Sequence, residues 1–160
     1  MYRILLADDE GIMLEALKSI IEANFRKECE VHCAKTGRAV VELAQDYPPD
    51  ICFMDIQMPG LNGIQAIREI QKFNKSVVFV IITAYDKFHY AKEALNLGVM
   101  DFVTKPVSKK IVVEICTKAM GLVDENRKKR SDDLKIKEKL EIIPVKKATE
   151  VLERVFHEEN

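Results

Sequence analysis

Three carboxylates, one hydroxyl and one ammonium in this 160-residue chain stand where short apolar runs stop. Asp8 and Asp9 follow the run 2–7, and Asp55 follows Ile51-Cys52-Phe53-Met54. Thr83 ends the run 77–82, and Lys105 follows the run 99–103. If these ends meet, three crowded carboxylates repel one another, and at neutral pH at least one is driven toward protonation. A hard divalent cation removes that conflict. All-oxygen ligation suits Mg²⁺ or Mn²⁺ and gives no hold to softer metals. Beside such a cation, a lysine and a hydroxyl suit a phosphoryl group: the ammonium neutralises its oxygens and Thr83 donates a hydrogen bond. There is no Gly-x-x-x-x-Gly-Lys loop and no Gly-x-Gly-x-x-Gly turn, so nucleotide binding is not favoured. No histidine or serine sits close enough in this scheme to form a base–nucleophile pair. Asp55 is then the natural nucleophile, and its product is an acyl phosphate.

The elements that must position these groups alternate. Residues 2–7 read as a strand, and the following helix shows Leu14, Leu17, Ile21 and Phe25 at helical spacing. Residues 29–34 read as a second strand, and Thr36 as the N-cap of a helix with Val40, Leu43 and Ala44 on its apolar face. Tyr47-Pro48-Pro49 stops that helix ahead of the strand 51–54, which is apolar enough to be buried on both faces. Met58-Pro59-Gly60 and Asn62-Gly63 must turn the chain. A third helix over about 62–73 carries Ile64, Ile67 and Ile70. The run 77–82 suits the centre of a parallel sheet. Asp86 can cap a fourth helix that reaches Leu97 and stops at Gly98, and 99–103 is the fifth strand. This alternation predicts an α/β, doubly wound, flavodoxin-like sheet of five parallel strands covered by helices on both faces. Its C-terminal strand ends share one edge, where ligands of open α/β sheets bind.

Beyond Pro106 the character changes. A fifth helix with Ile111, Val112, Ile115 and Ala119 can pack on the sheet, but 13 of the 18 residues in 124–141 are charged. Such a segment cannot bury a face of its own, so residues 1–122 are expected to form the domain and 123–160 a charged helical extension. A sparse heptad through Val112, Ile115, Ala119, Leu122, Ile136, Leu140 and Ile143 is interrupted by Asn126, Lys129 and Asp133. Pro144 breaks the extension, and 145–156 reads as a short amphipathic helix. The chain is 48% hydrophobic, enough for a core, and its net charge of −1 gives no reason to expect nucleic acid or an anionic membrane as partner. Met1 leads straight into a strand without a signal peptide, and no run is long enough to span a bilayer, so a cytoplasmic location is expected. Cys29, Cys33, Cys52 and Cys116 show no framework spacing and read as free thiols. Alternation puts Cys29, Val31 and Cys33 on one strand face as core residues and His32 on the other, against a metal site in Cys29-Glu30-Val31-His32-Cys33.

Asp8-Asp9, the run Met54-Asp55-Ile56-Gln57-Met58-Pro59-Gly60-Leu61-Asn62-Gly63, Ile82-Thr83-Ala84 and Lys105-Pro106 fall in one order on the expected strand ends. In these pieces residues 1 to about 122 resemble the receiver domain of two-component response regulators. The resemblance implies that Asp55 accepts phosphate from a phosphohistidine on a sensor histidine kinase. It implies Mg²⁺ held by Asp8, Asp9, Asp55 and the backbone carbonyl of Gln57, with Lys105 on the phosphoryl group and Thr83 swinging toward it. Phe102 occupies the switch-aromatic position, and a cis Lys105-Pro106 bond is implied. The run from Thr83 to Leu95 is similar to receivers attached to AraC-type helix-turn-helix output domains. No such domain is present, so the chain reads as a fragment of a transcription regulator or as a receiver acting through protein contacts. A homodimer is expected through the fourth helix, fifth strand and fifth helix, with the extension from Leu122 to Ile143 relaying the change.

Simpler readings exist for each group alone. Asp8 and Asp9 can cap the first helix, Thr83 can be an N-cap, and Lys105 can be a surface lysine. Tyr85, Phe88 and Tyr90 are packing residues or a docking face, His89 carries no chemistry, and Arg127-Lys128-Lys129-Arg130 reads as a solvated helix face. A Mg²⁺-dependent phosphatase passing through an aspartyl phosphate wants an acid two residues after its nucleophile. Gln57 stands there, and with no general acid the chain is expected to be a phosphoacceptor rather than an enzyme. A flavodoxin-like cofactor binder would need phosphate-cradling loops that the sequence lacks.

Overall fold

The computed structural model describes residues 1–84 and 87–142, without the side chains of 87–89 and 140–142. Its elements run β1 (Tyr2–Ala7), α1 (Gly11–Phe25), β2 (Cys29–Ala34), α2 (Gly37–Asp46), β3 (Ile51–Met54), α3 (Gly63–Gln71), β4 (Val78–Thr83), α4 (Lys87–Asn96), β5 (Asp101–Thr104) and α5 (Lys109–Ile142). All four strand pairings are parallel, in the order β2-β1-β3-β4-β5. The sheet is doubly wound as expected. The chain reverses direction across the sheet between β1 and β3, which opens a crevice at their C-terminal ends.

The two faces have separate cores, because successive side chains of a strand point to opposite sides. Ile4, Leu6, Ile51, Phe53, Val80 and Ile82 meet Leu14, Leu17 and Ile21 of α1 and Val112, Ile115, Cys116 and Ala119 of α5. Leu5, Cys52, Met54, Phe79, Ile81 and Phe102 meet Val40 and Ala44 of α2, Ile64, Ile67 and Ile70 of α3, and Ala94 of α4. Strands β1, β3 and β4 are therefore apolar at almost every position.

Local chemistry sets the helix starts. The Thr36 hydroxyl accepts from the Ala39 N–H at 3.0 Å. Asn62 and Gln65 form a reciprocal capping box, each bond 2.9 Å long, which opens α3 next to the end of β3. Gly98, at φ +74, ends the α4 segment in the left-handed region. The fifth strand starts at Asp101 rather than at residue 99, because Val99 still donates its N–H to Ala94 of α4 at 3.2 Å; Met100, whose N–H reaches Phe79 of β4 at 2.8 Å, leads into the ladder.

The chain divides into two units, Met1–Val123 and Asp124–Asn160. In the second unit the described side chains of 124–139 are exposed or half-exposed, Leu134 included at 62%. The Asp86 cap, Tyr85, the heptad position Ile143, the Pro144 break and the helix 145–156 lie outside the described residues, as do the side chains of Phe88, His89 and Leu140.

Cys29, Cys52 and Cys116 are buried thiols, but Cys33 is exposed. The expectation that Cys33 belongs to the core is thus corrected. Its strand, β2, lies at the rim of the sheet with β1 as its one neighbour among the described residues, and Cys33 lines an open surface cavity with Gly11, Leu14, Glu15 and Lys18 of α1. His32 lies on the other face, stacked on Tyr47 at 4.7 Å with Nε2 2.9 Å from Glu30 Oε1.

Candidate acidic site at the strand ends

Asp55 sits one residue past β3, its N–H bonded to the Ala7 carbonyl at 2.9 Å. Asp8 sits one residue past β1, its N–H bonded to Ala34 at 3.1 Å. Parallel pairing of β1 with β3 thereby sets the two carboxylates side by side. Both are buried, at 2% and 5% exposure. The loop after Asp55 folds back tightly: Gly63 donates to Ile56 at 2.8 Å. A Cβ on Gly63 would lie 2.1 Å from the Asp55 carbonyl oxygen, so only glycine fits there.

Lys105 is placed by its own backbone, whose N–H bonds to the Thr83 carbonyl at 2.8 Å. Its Nζ lies 2.7 Å from Asp8 Oδ2, 3.2 Å from Asp55 Oδ2 and 3.9 Å from Glu10 Oε1. The Lys105-Pro106 bond is cis. Burial alone would lower the Lys105 pKa, but the hydrogen bond with Asp8 and the charges of Asp55 and Asp8 prevail and hold it above the usual lysine value. Asp8 is pushed up, first by burial. Bonds from Lys105 and from the Glu10 N–H (2.9 Å to Oδ1) act against the shift, and the Asp55 charge adds to it.

Both Asp8 oxygens have donors, whereas Asp55 Oδ1 is buried with no hydrogen-bond partner among the described residues. A buried polar atom left so costs about 1–3 kcal/mol. Asp8, Asp9 and Asp55 each offer a carboxylate oxygen, all within 4.8 Å of one another. The donors are all hard oxygens, and one of them lacks a partner, so the set fits a small divalent cation. Asp9 is exposed and can supply its ligand from the solvent side.

Asp8, Asp9, Asp55 and Lys105 thus converge. Thr83 is fully buried at the end of β4, next to β3. Gln57 lies two residues past Asp55 with its side chain exposed. Phe102 is buried two strands from Asp55, paired with Ile81 and packed in the core that α4 covers. Two contributors went unassigned in the sequence. Glu10 completes the acidic surround of Lys105 and uses its N–H to orient Asp8; its signal was the third acid of Asp8-Asp9-Glu10. Gly63 lets α3 start against the Asp55 backbone, and its signal was the second glycine after Pro59.

The sequence profile of the response regulator receiver domain family matches residues 4–117. The chemotaxis protein CheY of Thermotoga maritima is 38% identical over 117 residues, which cover 72% of this chain and 95% of that protein. YesN of Bacillus subtilis, described as an uncharacterized transcriptional regulatory protein, is 34% identical over 113 residues, 71% of this chain and 31% of its own length. The regulatory protein AtoC of Escherichia coli is 36% identical over 104 residues, and the match spans 22% of its length. This chain therefore covers less than a third of those two regulators. Among solved structures, the REC domain of AraT, a response regulator from Geobacillus stearothermophilus, superposes with a TM-score of 0.69 at 28% identity, covering 81% of this chain and 98% of that one.

Proposed function

This chain belongs to the response regulator receiver domain family of two-component systems, and from that premise we propose that Asp55 is its phosphoacceptor. Receivers of this family bind Mg²⁺ at an acidic pocket. Here Asp8, Asp9, Asp55 and the Gln57 carbonyl would hold the ion, which supplies positive charge against the phosphoryl oxygens. A carboxylate oxygen of Asp55 attacks the phosphorus of a phosphohistidine on a sensor histidine kinase. The new O–P bond forms as the P–N bond breaks, and the imidazole leaves with the bonding pair and takes up a proton. Lys105 holds the transferred oxygens, and Thr83 donates to them. Water later hydrolyses the acyl phosphate, so the chain is a phosphoacceptor with self-catalysed turnover rather than an enzyme acting on a separate substrate.

The observation that carries this reading is Asp55 itself, buried at a strand mouth with Oδ1 unpartnered among the described residues and Lys105 at 3.2 Å from Oδ2. The test is incubation of wild type and Asp55→Ala with Mg²⁺ and acetyl phosphate, followed by intact mass. A phosphate-sized mass gain is expected on the wild type alone. A gain that survives Asp55→Ala refutes the assignment.

Thr83 moving toward the phosphate gives Phe102 room to follow, and that changes the surface of α4, β5 and the first turns of α5. Two features support a homodimer there. Leu95 is 75% exposed, and Ala91, Ala94, Leu95, Val99, Met100 and Phe102 line a cavity of about 240 Å³. Residues 123–160 would pass the change onward in a longer cytoplasmic transcription regulator, a reading that the partial match to YesN and AtoC supports. A stand-alone receiver acting through protein contacts is the second reading, favoured by the near-complete span of the Thermotoga CheY match. Among the described residues no helix is long and apolar enough to cross a membrane.

A further inference from the structure

At the β2 rim of the sheet, main-chain groups have no hydrogen-bond partner among the described residues. Tyr2 donates its N–H to the Glu28 carbonyl at 2.7 Å, and Asp8 donates to that of Ala34 at 3.1 Å. Between these bonds the parallel register runs unbroken from Tyr2↔Cys29 to Ala7↔Ala34. In such a ladder the hydrogen-bonding direction alternates residue by residue. Glu30, His32 and Ala34 therefore turn their N–H and C=O groups toward β1. Cys29, Val31 and Cys33 turn theirs outward, and among the described residues none supplies them a partner. The strand reads Cys-Glu-Val-His-Cys-Ala, with no proline, lysine or bulge to blunt the edge.

The outward segment Cys29-Glu30-Val31-His32-Cys33 is symmetric in kind about Val31. Let a second copy lie antiparallel with its Val31 opposite this one. The outward groups of Cys29, Val31 and Cys33 then meet those of Cys33, Val31 and Cys29 of the second copy, as hydrogen-bonded pairs. Glu30 and His32 fall on the non-hydrogen-bonded positions, where Cα atoms approach to about 4.5 Å. There Glu30 faces His32 of the second copy, twice over. A slip of one residue would set outward groups against groups already bonded to β1. A slip of two would set Glu30 against Glu30, or His32 against His32. Only the Val31-centred register both satisfies the backbone and sets each carboxylate opposite an imidazole. Glu30 and His32 already meet within one chain at 2.9 Å, with side chains 43% and 31% exposed, so either can exchange to the other copy. Lys27 and Lys35 would face each other just beyond the strand, which limits pairing to residues 29–33.

We propose that β2 is a homotypic docking edge: a second copy of this chain adds to it as an antiparallel strand centred on Val31, joining two five-stranded sheets through a two-fold axis. The contact is independent of Asp55 and of any phosphoryl chemistry.

The test is residue-resolved amide exchange on the full chain across a concentration series, without a phosphoryl analogue. The amides of Glu30, His32 and Ala34 are protected at every concentration by their bonds to β1. Those of Cys29, Val31 and Cys33 exchange fast when dilute. They slow by about tenfold once about nine-tenths of the chain is paired, because exchange then runs through the monomer. Val31→Pro removes an outward N–H and no bond to β1, so it abolishes the slowing while Glu30, His32 and Ala34 stay protected. Glu30→Lys weakens the slowing without touching the backbone, and Glu30→His combined with His32→Glu restores it. Outward amides whose exchange ignores concentration overturn the proposal. So does slowing that persists in both Val31→Pro and Glu30→Lys.

Discussion

Lys105→Met is the substitution that most directly probes the acidic site. The side chain stays unbranched, one atom shorter, and loses its charge. In the wild type Nζ lies 2.7 Å from Asp8 and 3.2 Å from Asp55, and the three side chains are 11%, 3% and 6% exposed. Removing one partner of a buried ion pair costs about 3–5 kcal/mol, because the remaining charge stays desolvated. Asp8 can relieve part of this by protonation, since its pKa is already raised, which puts the expected loss in chelator near the lower end, about 3 kcal/mol. Mg²⁺ changes the comparison. Bound at the proposed site, it would compete in the wild type with Lys105 for Asp8 and Asp55 oxygens; in the variant it would not. A tenfold tighter Kd in the variant corresponds to about 1.4 kcal/mol. At a Mg²⁺ concentration of about 100 times the variant's Kd, the variant gains about 2.7 kcal/mol and the wild type about 1.4.

The assay is urea unfolding followed by far-ultraviolet circular dichroism, in EDTA and in Mg²⁺, with unchanged m-values as the control for two-state behaviour. The stability gap between the two proteins is expected to shrink from about 3 kcal/mol to under about 2 on adding Mg²⁺. A gap of equal size in both conditions would show that cation and lysine do not share ligands. A variant that gains less than the wild type would place the ion elsewhere.

Three further outcomes follow from the same geometry. Gly63→Ala drives a methyl to 2.1 Å from the Asp55 carbonyl oxygen, and since backbone cannot yield cheaply it should destabilise by about 2–3 kcal/mol and slow acetyl-phosphate labelling, read by urea unfolding and intact mass. Asn62→Ala removes the capping box of α3 and should cost about 1 kcal/mol in the same unfolding assay, with labelling of Asp55 retained. For Asp8 burial raises the folded pKa above the ordinary carboxylate value, so its ionised form weakens the fold at neutral pH, and the loss is recovered as pH falls through the raised value. Asp8→Asn has nothing to titrate there; measured in EDTA, the stability of the wild type relative to the variant should therefore rise on acidification toward 3.8, and a flat or falling difference would contradict the burial effect.

The periodicities that identify the elements are local, and they were readable. Thr36 and Asn62 cap helices as their types suggest. The all-apolar run of β4 marks a strand covered on both faces. What one dimension could not carry was sidedness and depth. Cys33 alternates correctly with Cys29, yet it is exposed, on a strand with no neighbour beyond it among the described residues. Val99 looks like a strand residue, but the positive φ of Gly98 and the Val99 bond to Ala94 hold it in the turn from α4. The acidic cluster shows the same division. Its members could be picked from strand ends, because parallel topology forces those ends together. That Lys105 reaches both Asp8 and Asp55, that Glu10 orients Asp8, and that α3 can begin against Asp55 only at a glycine are facts of distance.

Those distances also bear on how a phosphoryl group could act as a signal. Lys105 is now held mainly by Asp8, the shorter of its two carboxylate contacts. A phosphoryl group on Asp55 would add roughly −1.5 to −2 charges next to it. One ammonium cannot keep a 2.7 Å bond to Asp8 and also centre itself on new oxygens beyond Asp55. Its movement toward the phosphate would leave Asp8 to the cation, so metal and phosphate should each favour the arrangement that the other needs. Because the Lys105 backbone N–H is bonded to the Thr83 carbonyl, the end of β5 is tied to the end of β4. A shift of the lysine would therefore be felt at Thr83 and, through the paired strands, beside Phe102. An equilibrium moves only by the difference in interactions between its two states. On the proposed phosphorylation of Asp55 that difference would reside in one lysine with more carboxylates and phosphoryl oxygens than it can serve at once.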